Sequence, residues 1–181
     1  GAAIAPLADL LEACRAADVP EVCHLLRPAS IRLPDRHVHL PGNLDQVARD
    51  LAAFRAGTAP LPSLMLPLGA LFSPDQDIDA GRLDALLDTL AAAGGRRLFL
   101  IAPDHLDSDV PVPDAAFLEA AERALPGLVR RWRSRGIEPT LVSVAPPAGR
   151  NFHDRVRPFL PVEDWSGQLA RHRYSGWRFA W

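Results

Sequence analysis

Between Leu61 and Gly149, short apolar runs alternate with stretches of helical periodicity. The apolar runs are Leu64–Leu68, Leu98–Ala102 and Thr140–Ala145, and the amphipathic stretches between them are Arg82–Ala93 and Asp114–Arg135. Apolar runs of this length that are separated by helices are typical of parallel strands buried on both faces. The pattern therefore predicts an α/β fold, a three-layer sandwich with a mostly parallel central sheet of about four to five strands and helices on both faces.

The chain has 181 residues, a size that suits a single domain, and we predict one α/β domain over 1–181. A helical lead-in occupies 1–29, the α/β core 30–147 and a C-terminal extension 148–181. Within the lead-in, the spacing predicts a helix from Leu7 to Ala17, and then either a second short helix or an extended segment from Val22 to Arg27. Further on, Ser30–Leu40 is expected to be an irregular strand.

The C-terminal extension is rich in arginine and aromatic residues. Its last residues alternate, with Trp177, Phe179 and Trp181 separated by Arg178 and Ala180. Alternation of this kind predicts a strand with one apolar face, placed at the edge of the sheet.

The chain contains no lysine, and all 20 of its basic residues are arginine. This excludes Schiff-base chemistry, lysine bases and the P-loop phosphate site. The Gly-x-Ser-x-Gly elbow of serine hydrolases and the Gly-x-Gly-x-x-Gly dinucleotide fingerprint are also absent from the sequence. Cys14 and Cys23 lack metal-site spacing, and we expect two ordinary buried thiols.

Charge is unevenly distributed along the chain. The net charge is −2, yet Leu128–Trp181 carries ten arginines against four acids. This predicts an anion-attracting C-terminal end, although the excess is too small to indicate nucleic-acid binding. The apolar runs are too short to span a bilayer, so we expect no membrane partner and a cytoplasmic location. A removed targeting segment stays open as an alternative.

Polar side chains follow several of the predicted strands. Parallel strands bring their carboxyl ends to one edge of the sheet, where ligands of α/β proteins bind. Candidate catalytic residues there are Ser73 as nucleophile, His105 or His153 as base, and Asp104 as the orienting acid. These residues would make the chain a hydrolase of an ester, an amide or a phosphorylated small molecule.

The segment His37-Val38-His39 offers two imidazoles on one face of a strand, a spacing that metal sites use. It resembles the His-x-His of the first strand in amidohydrolase barrels, and the resemblance covers about six residues. It would imply a divalent metal held by His37 and His39. We otherwise predict no cofactor.

The order of elements from Leu61 to Ala145 is broadly similar to the central part of SGNH-type esterases, with strand, helix, strand, helix and strand in succession. The motifs of that family are missing, since Leu68-Gly69-Ala70-Leu71-Phe72 stands where Gly-x-Asn-Asp would be expected. The likeness therefore concerns architecture alone.

Arginines and aromatic residues are interleaved after the last predicted strand of the core. Candidate ligand-binding or anion-binding residues in this segment are Arg150, Asn151, Arg155, Arg173 and Trp177. Arginine with aromatic residues is typical of protein interfaces and of phosphate or base recognition. We therefore predict a non-catalytic protein-interaction or regulatory domain, which binds a protein partner or a second copy through this segment. The alternatives are the hydrolase above and a binder of an anionic small molecule or nucleotide.

Overall fold

The computed structural model describes residues 6–27, 30–33, 36–39, 42–72, 80–102, 115–143, 150–165, 173–175 and 178–180. The strands are β1 (Glu21–Leu25), β2 (Ser30–Leu33), β3 (Arg36–His39), β4 (Leu61–Pro67), β5 (Arg97–Ile101), β6 (Glu138–Ser143), β7 (Val162–Asp164), β8 (Arg173–Ser175) and β9 (Arg178–Ala180). The helices are α1 (Leu7–Ala16), α2 (Leu44–Leu51), α3 (Gly69–Phe72), α4 (Ala80–Ala92), α5 (Ala115–Arg133) and α6 (Arg150–Val156).

Seven strands form one sheet in the order β7-β6-β5-β4-β1-β9-β8. Five of them are parallel, with β1, β4, β5, β6 and β7 side by side. Strand β9 runs antiparallel to β1, and β8 runs antiparallel to β9. The α/β class and the mostly parallel sheet predicted from the sequence are thus confirmed.

One face of this sheet, the first face, packs against the helices. Its buried leucines include Leu64 and Leu66 of β4, Leu98 and Leu100 of β5, and Leu141 of β6. Buried side chains of α2, α4, α5 and α6 join the same apolar cluster. Burial of this continuous surface is the main force that holds the helices to the sheet.

The opposite face, the second face, is also buried. Cys23, Met65, Phe99 and Val142 point to this side, and the Trp165 ring lies against Phe99 with 4.6 Å between ring centroids. Among the described residues, no helix contributes to this cluster, so the predicted helices on both faces are found on the first face only. Right-handed connections explain this, because the parallel strands advance in one direction and every crossover then falls on the same side.

Several elements differ from the prediction. Of the two alternatives predicted for 22–27, the structure has the extended one, because β1 pairs with β4 along its whole length. Instead of one irregular strand, Ser30–Leu33 and Arg36–His39 form a separate hairpin of two strands, β2 and β3, that pair antiparallel to each other. Helix α2 ends at Leu51, and tight backbone hydrogen bonds from the amides of Ala53 and Phe54 to the carbonyls three residues back follow it. The extension also contains α6 and β7, which the sequence pattern does not predict.

Glycines follow two of the helices. Gly94 and Gly136 follow α4 and α5 with φ of 89° and 76°, a conformation that side chains with a Cβ disfavour. In the described part of the chain, no helix is both long enough and apolar enough to cross a membrane.

Candidate functional site

The C-terminal hairpin, formed by β8 and β9, continues the sheet beyond β1. Strand β9 is paired with β1 so that Arg178 lies opposite His24 and Ala180 lies opposite Val22. Ala180 and Val22 share a buried cluster with Leu10 of α1, so this side of β9 belongs to the first face. Among the strands that the structure describes, β8 is the outermost at this end of the sheet.

Arg178 and Asp50 form a buried ion pair between β9 and α2. Both side chains are 5% exposed. The Arg178 guanidinium donates from Nε to Asp50 Oδ2 at 2.8 Å and donates to the same oxygen from Nη2. The other carboxylate oxygen accepts a hydrogen bond from Gln46 Nε2 at 2.8 Å. Hydrogen bonds thus orient both carboxylate oxygens of Asp50 and the guanidinium of Arg178, and the pair fixes β9 against α2.

His24 completes a buried charge cluster, by which we mean His24, Asp50 and Arg178. Its Nε2 lies 3.6 Å from Asp50 Oδ2, and its ring meets Phe54 edge to face with 5.7 Å between centroids. Neither ring nitrogen has a hydrogen-bond partner within the described structure.

Burial lowers the pKa of His24 to about 4, with the carboxylate of Asp50 opposing this shift and the guanidinium of Arg178 adding to it. The backbone of Ser63, like Asp50, raises the pKa of His24, although the contact between Ser63 and the ring does not have the geometry of a hydrogen bond. His24 is therefore neutral at pH 7, and Asp50 has a single cationic partner.

The sequence interpretation missed this cluster, although one signal for it was present. Asp50 occupies a position in the apolar stripe of α2, between Val47 and Leu51 and four residues before Phe54. An acid on the inward stripe of a helix needs a buried partner. Nothing in the sequence indicates that the partner is Arg178, 128 positions away.

A second polar group lies at the amino ends of β1, β4 and β5, on the second face. Ser63 Oγ donates to Glu21 Oε1 at 2.9 Å, and Arg97 Nη1 lies 3.7 Å from Glu21 Oε2. Burial raises the pKa of Glu21 against the lowering effect of Arg97. Burial also raises the pKa of the neighbouring Cys23 thiol, which makes that thiol unreactive. Cys14 and Cys23 are both buried thiols that form no disulfide, as predicted.

The predicted strand-end site lies largely outside the described residues, which exclude Ser73, Asp104 and His105. Asn43 is described there, and it is 4% exposed. The residue occupies the N-cap position of α2, but its side chain makes no capping hydrogen bond. Instead Nδ2 donates to the Leu25 carbonyl at 2.8 Å and Oδ1 accepts from the Arg27 amide at 2.7 Å, which closes the end of β1.

Four of the candidate residues fall in α6. Arg150 and Asn151 begin this helix, and His153 is 5% exposed on its inner side. Arg155 is exposed and forms an ion pair with Glu122 of α5, with Nη1 3.2 Å from Oε2. Arg155 therefore joins two helices at the surface.

The remaining candidates are separated in the structure. His37 and His39 lie in β3, where they pair with Arg32 and Ser30 of β2, so they belong to the separate hairpin and not to the sheet. Arg173 lies in β8, and Trp177 falls outside the described residues. Among the residues that the structure describes, no group of three or more His, Cys, Asp or Glu side chains is placed to hold a metal ion.

No model of a known protein family matches the chain, and no characterised protein matches it. Its function must therefore be inferred from the residues and their geometry. Among the described strands, β7 and β8 are the two ends of the sheet, and a terminal strand is an element of a kind that binds partners.

Proposed function

We propose that this chain is a protein-interaction or regulatory domain without catalytic activity, which binds an extended, acidic segment of a partner protein along β8. The observation that carries the proposal is the position of β8 at the end of the seven-stranded sheet. A terminal strand presents unpaired backbone donors and acceptors, and an extended peptide can add to it as a further strand.

The expected charge of the partner follows from the composition of the C-terminal segment. Residues 165–181 contain no acid and three arginines, Arg171, Arg173 and Arg178. Arg178 pairs with the buried Asp50. The other two arginines of the segment are Arg171 and Arg173, and Arg173 belongs to β8. Glutamate or aspartate in the incoming segment would complement them.

The opposite edge of the sheet has the opposite character. Strand β7 is three residues long and contains the exposed acids Glu163 and Asp164. Like charges would repel an acidic segment there. The charges at the two edges therefore favour β8 over β7 as the strand that binds an acidic segment.

A rigid edge binds with a smaller entropic cost than a flexible one. The buried ion pair between Arg178 and Asp50 holds β9, and β9 in turn positions β8. The hairpin is thus tied to the helical layer by a side-chain contact as well as by backbone pairing with β1.

Binding of short synthetic peptides tests the proposal. We expect an eight-residue peptide of alternating Glu and Val to bind the full chain in a fluorescence-anisotropy titration, more weakly as salt is raised. The Lys and Val counterpart should not bind. If the acidic peptide fails to bind, or if both peptides bind equally, the proposal is wrong.

Two variants locate the binding. Tyr174→Pro removes a backbone donor from β8 and should abolish peptide binding. Arg173→Glu should weaken it at least tenfold, whereas Arg123→Glu, at an exposed position of α5, should leave it unchanged. Equal loss for the two charge reversals would indicate attraction by overall charge and not by this edge.

We also propose a cytoplasmic location. Free thiols are usual in reducing compartments. Cys14 packs with Val22 on the first face and Cys23 lies on the second, so the sheet separates the two thiols.

A further inference from the structure

We propose that His24 is an acid-sensitive latch for the C-terminal hairpin: its protonation introduces a second buried cation beside Arg178, both cations then share the carboxylate of Asp50, and this releases β9 and β8 from β1. The inference concerns regulation of the edge named under the proposed function. The release itself does not depend on a partner.

The geometry places the two basic groups side by side. His24 and Arg178 are register partners on adjacent antiparallel strands, and both are directed at Asp50 of α2. His24 is 0% exposed, so water cannot solvate an added charge. A buried charge without adequate compensation costs several kcal/mol in general.

The surroundings of His24 offer no other counter-ion within the described structure. Strand β4 places Leu64 opposite His24, and the segment after α2 supplies the Phe54 ring. Helix α1 contributes the thiol of Cys14 to the adjoining apolar cluster. From α2, Gln46 is neutral and already donates to Asp50. The charges that act on His24 are therefore those of Asp50 and Arg178.

Of the two elements paired with β1, the hairpin is the one that can detach. Strand β1 is held on its other side by five register pairs with β4, whereas β9 has three pairs with β1 and is the only described strand between β1 and β8. Release of the hairpin opens the cluster to water. His24 can then take up a proton at its ordinary pKa.

The direction of the pH effect follows from linkage. The pKa of His24 is about 4 with the hairpin docked and returns toward 6.5 when the site is hydrated. The released state therefore binds more protons between these values, and the docked state loses stability as pH falls from 6.5 to 4. The docking equilibrium should weaken by up to about tenfold for each pH unit in that window.

Native-state hydrogen exchange on the full chain tests this without a partner. We expect the protection factors of the β9 amides to fall as pH is lowered from 7 to 4.5, while amides of β5 and β6 keep theirs. His24→Gln, which cannot take up a proton, should hold β9 protection constant over the same range. His153→Gln, at the second buried histidine of the described residues, should behave like the unmodified chain.

Two results would overturn the latch. The first is constant β9 protection in the unmodified chain down to pH 4.5. The second is an equal acid loss of β9 protection in His24→Gln. If His24→Gln does not fold, the protection factors of β9, β5 and β6 in the unmodified chain still test the latch. Global unfolding lowers the protection of all three strands together, whereas release of the hairpin lowers it at β9. Failure of the peptide to bind at pH 7 would refute the interaction edge and leave the latch standing.

Discussion

Arg178 donates two hydrogen bonds to a single carboxylate oxygen of Asp50, across 128 positions of the chain and in a site from which water is nearly excluded. This pair joins the last described strand to a helix that connects the first two parallel strands. The position of β9 thus depends on a side-chain contact with α2, a helix that is distant in the sequence.

Asp50→Asn should be strongly destabilising, because it removes the carboxylate charge that the buried guanidinium of Arg178 contacts. We expect a loss of about 3–5 kcal/mol in the free energy of unfolding, measured by urea denaturation. Asp45→Asn on the same helix removes a carboxylate that is 82% exposed and should change stability by less than about 0.5 kcal/mol. The double variant Asp50→Leu with Arg178→Met should recover most of the loss. Similar values for Asp50→Asn and Asp45→Asn would show that the buried pair contributes little.

Asn43 should act through the end of β1 and not as a helix cap. Asn43→Ala leaves the Leu25 carbonyl and the Arg27 amide without their partner, and we expect a loss of about 2–3 kcal/mol in unfolding free energy. Asn43→Ser distinguishes the two roles, since serine is a good N-cap but is too short to hold both backbone groups. Recovery of stability by serine would contradict the role assigned here.

Two glycines should respond in opposite ways to alanine. A Cβ on Gly95 would lie 2.3 Å from Leu90 Cδ1 and 2.6 Å from the Pro62 carbonyl oxygen, so Gly95→Ala should cost about 1–3 kcal/mol. Gly127 lies within α5, and a Cβ there meets nothing closer than Arg130 Nη2 at 4.0 Å. Gly127→Ala should therefore stabilise the protein by about 0.5–1 kcal/mol, through helix propensity. Thermal unfolding of both variants provides the measurement, and a change of the same sign in both would contradict the packing at Gly95.

Glu21 should make stability depend on pH. Burial raises its pKa above the ordinary value of 4.5, so the folded chain holds this proton more tightly than the unfolded chain does. The resulting stabilisation is fully present below the unfolded pKa and is lost as pH rises through the folded one. Glu21→Gln removes this loss, and its unfolding free energy relative to the unmodified chain should rise between pH 4 and pH 7. The exposed Glu119→Gln is the matched control. A difference that stays constant with pH would be inconsistent with a costly buried carboxylate.

The central sheet could be predicted because its strands are continuous apolar runs. Leu98–Ala102 is typical of a strand buried on both faces, and β5 is found at Arg97–Ile101. Strand β1 was harder to predict, because Glu21–Leu25 is short and has polar residues among its five, a pattern that short helices share. Its pairing with β4, some 40 residues later, decides the outcome.

The buried charge cluster could be predicted only in part. Asp50 stands out as an acid on an apolar stripe, but His24 lies in a strand that the pattern does not reveal. Arg178 alternates with aromatic residues, which indicates a strand and does not identify its neighbour. Tertiary pairing of β9 with β1 brings the three together. The helical layer on one face has a similar origin, since it depends on strand order and not on any local pattern.

Mapping of the bound acidic peptide on the isotope-labelled chain tests the central claim most directly. In amide chemical-shift titrations at pH 7, the account predicts the largest changes in β8 and β9, residues 173–175 and 178–180, with saturation at the affinity measured by anisotropy. The largest changes at β7, or at the carboxyl ends of the parallel strands near Asn43 and Ala102, would contradict it.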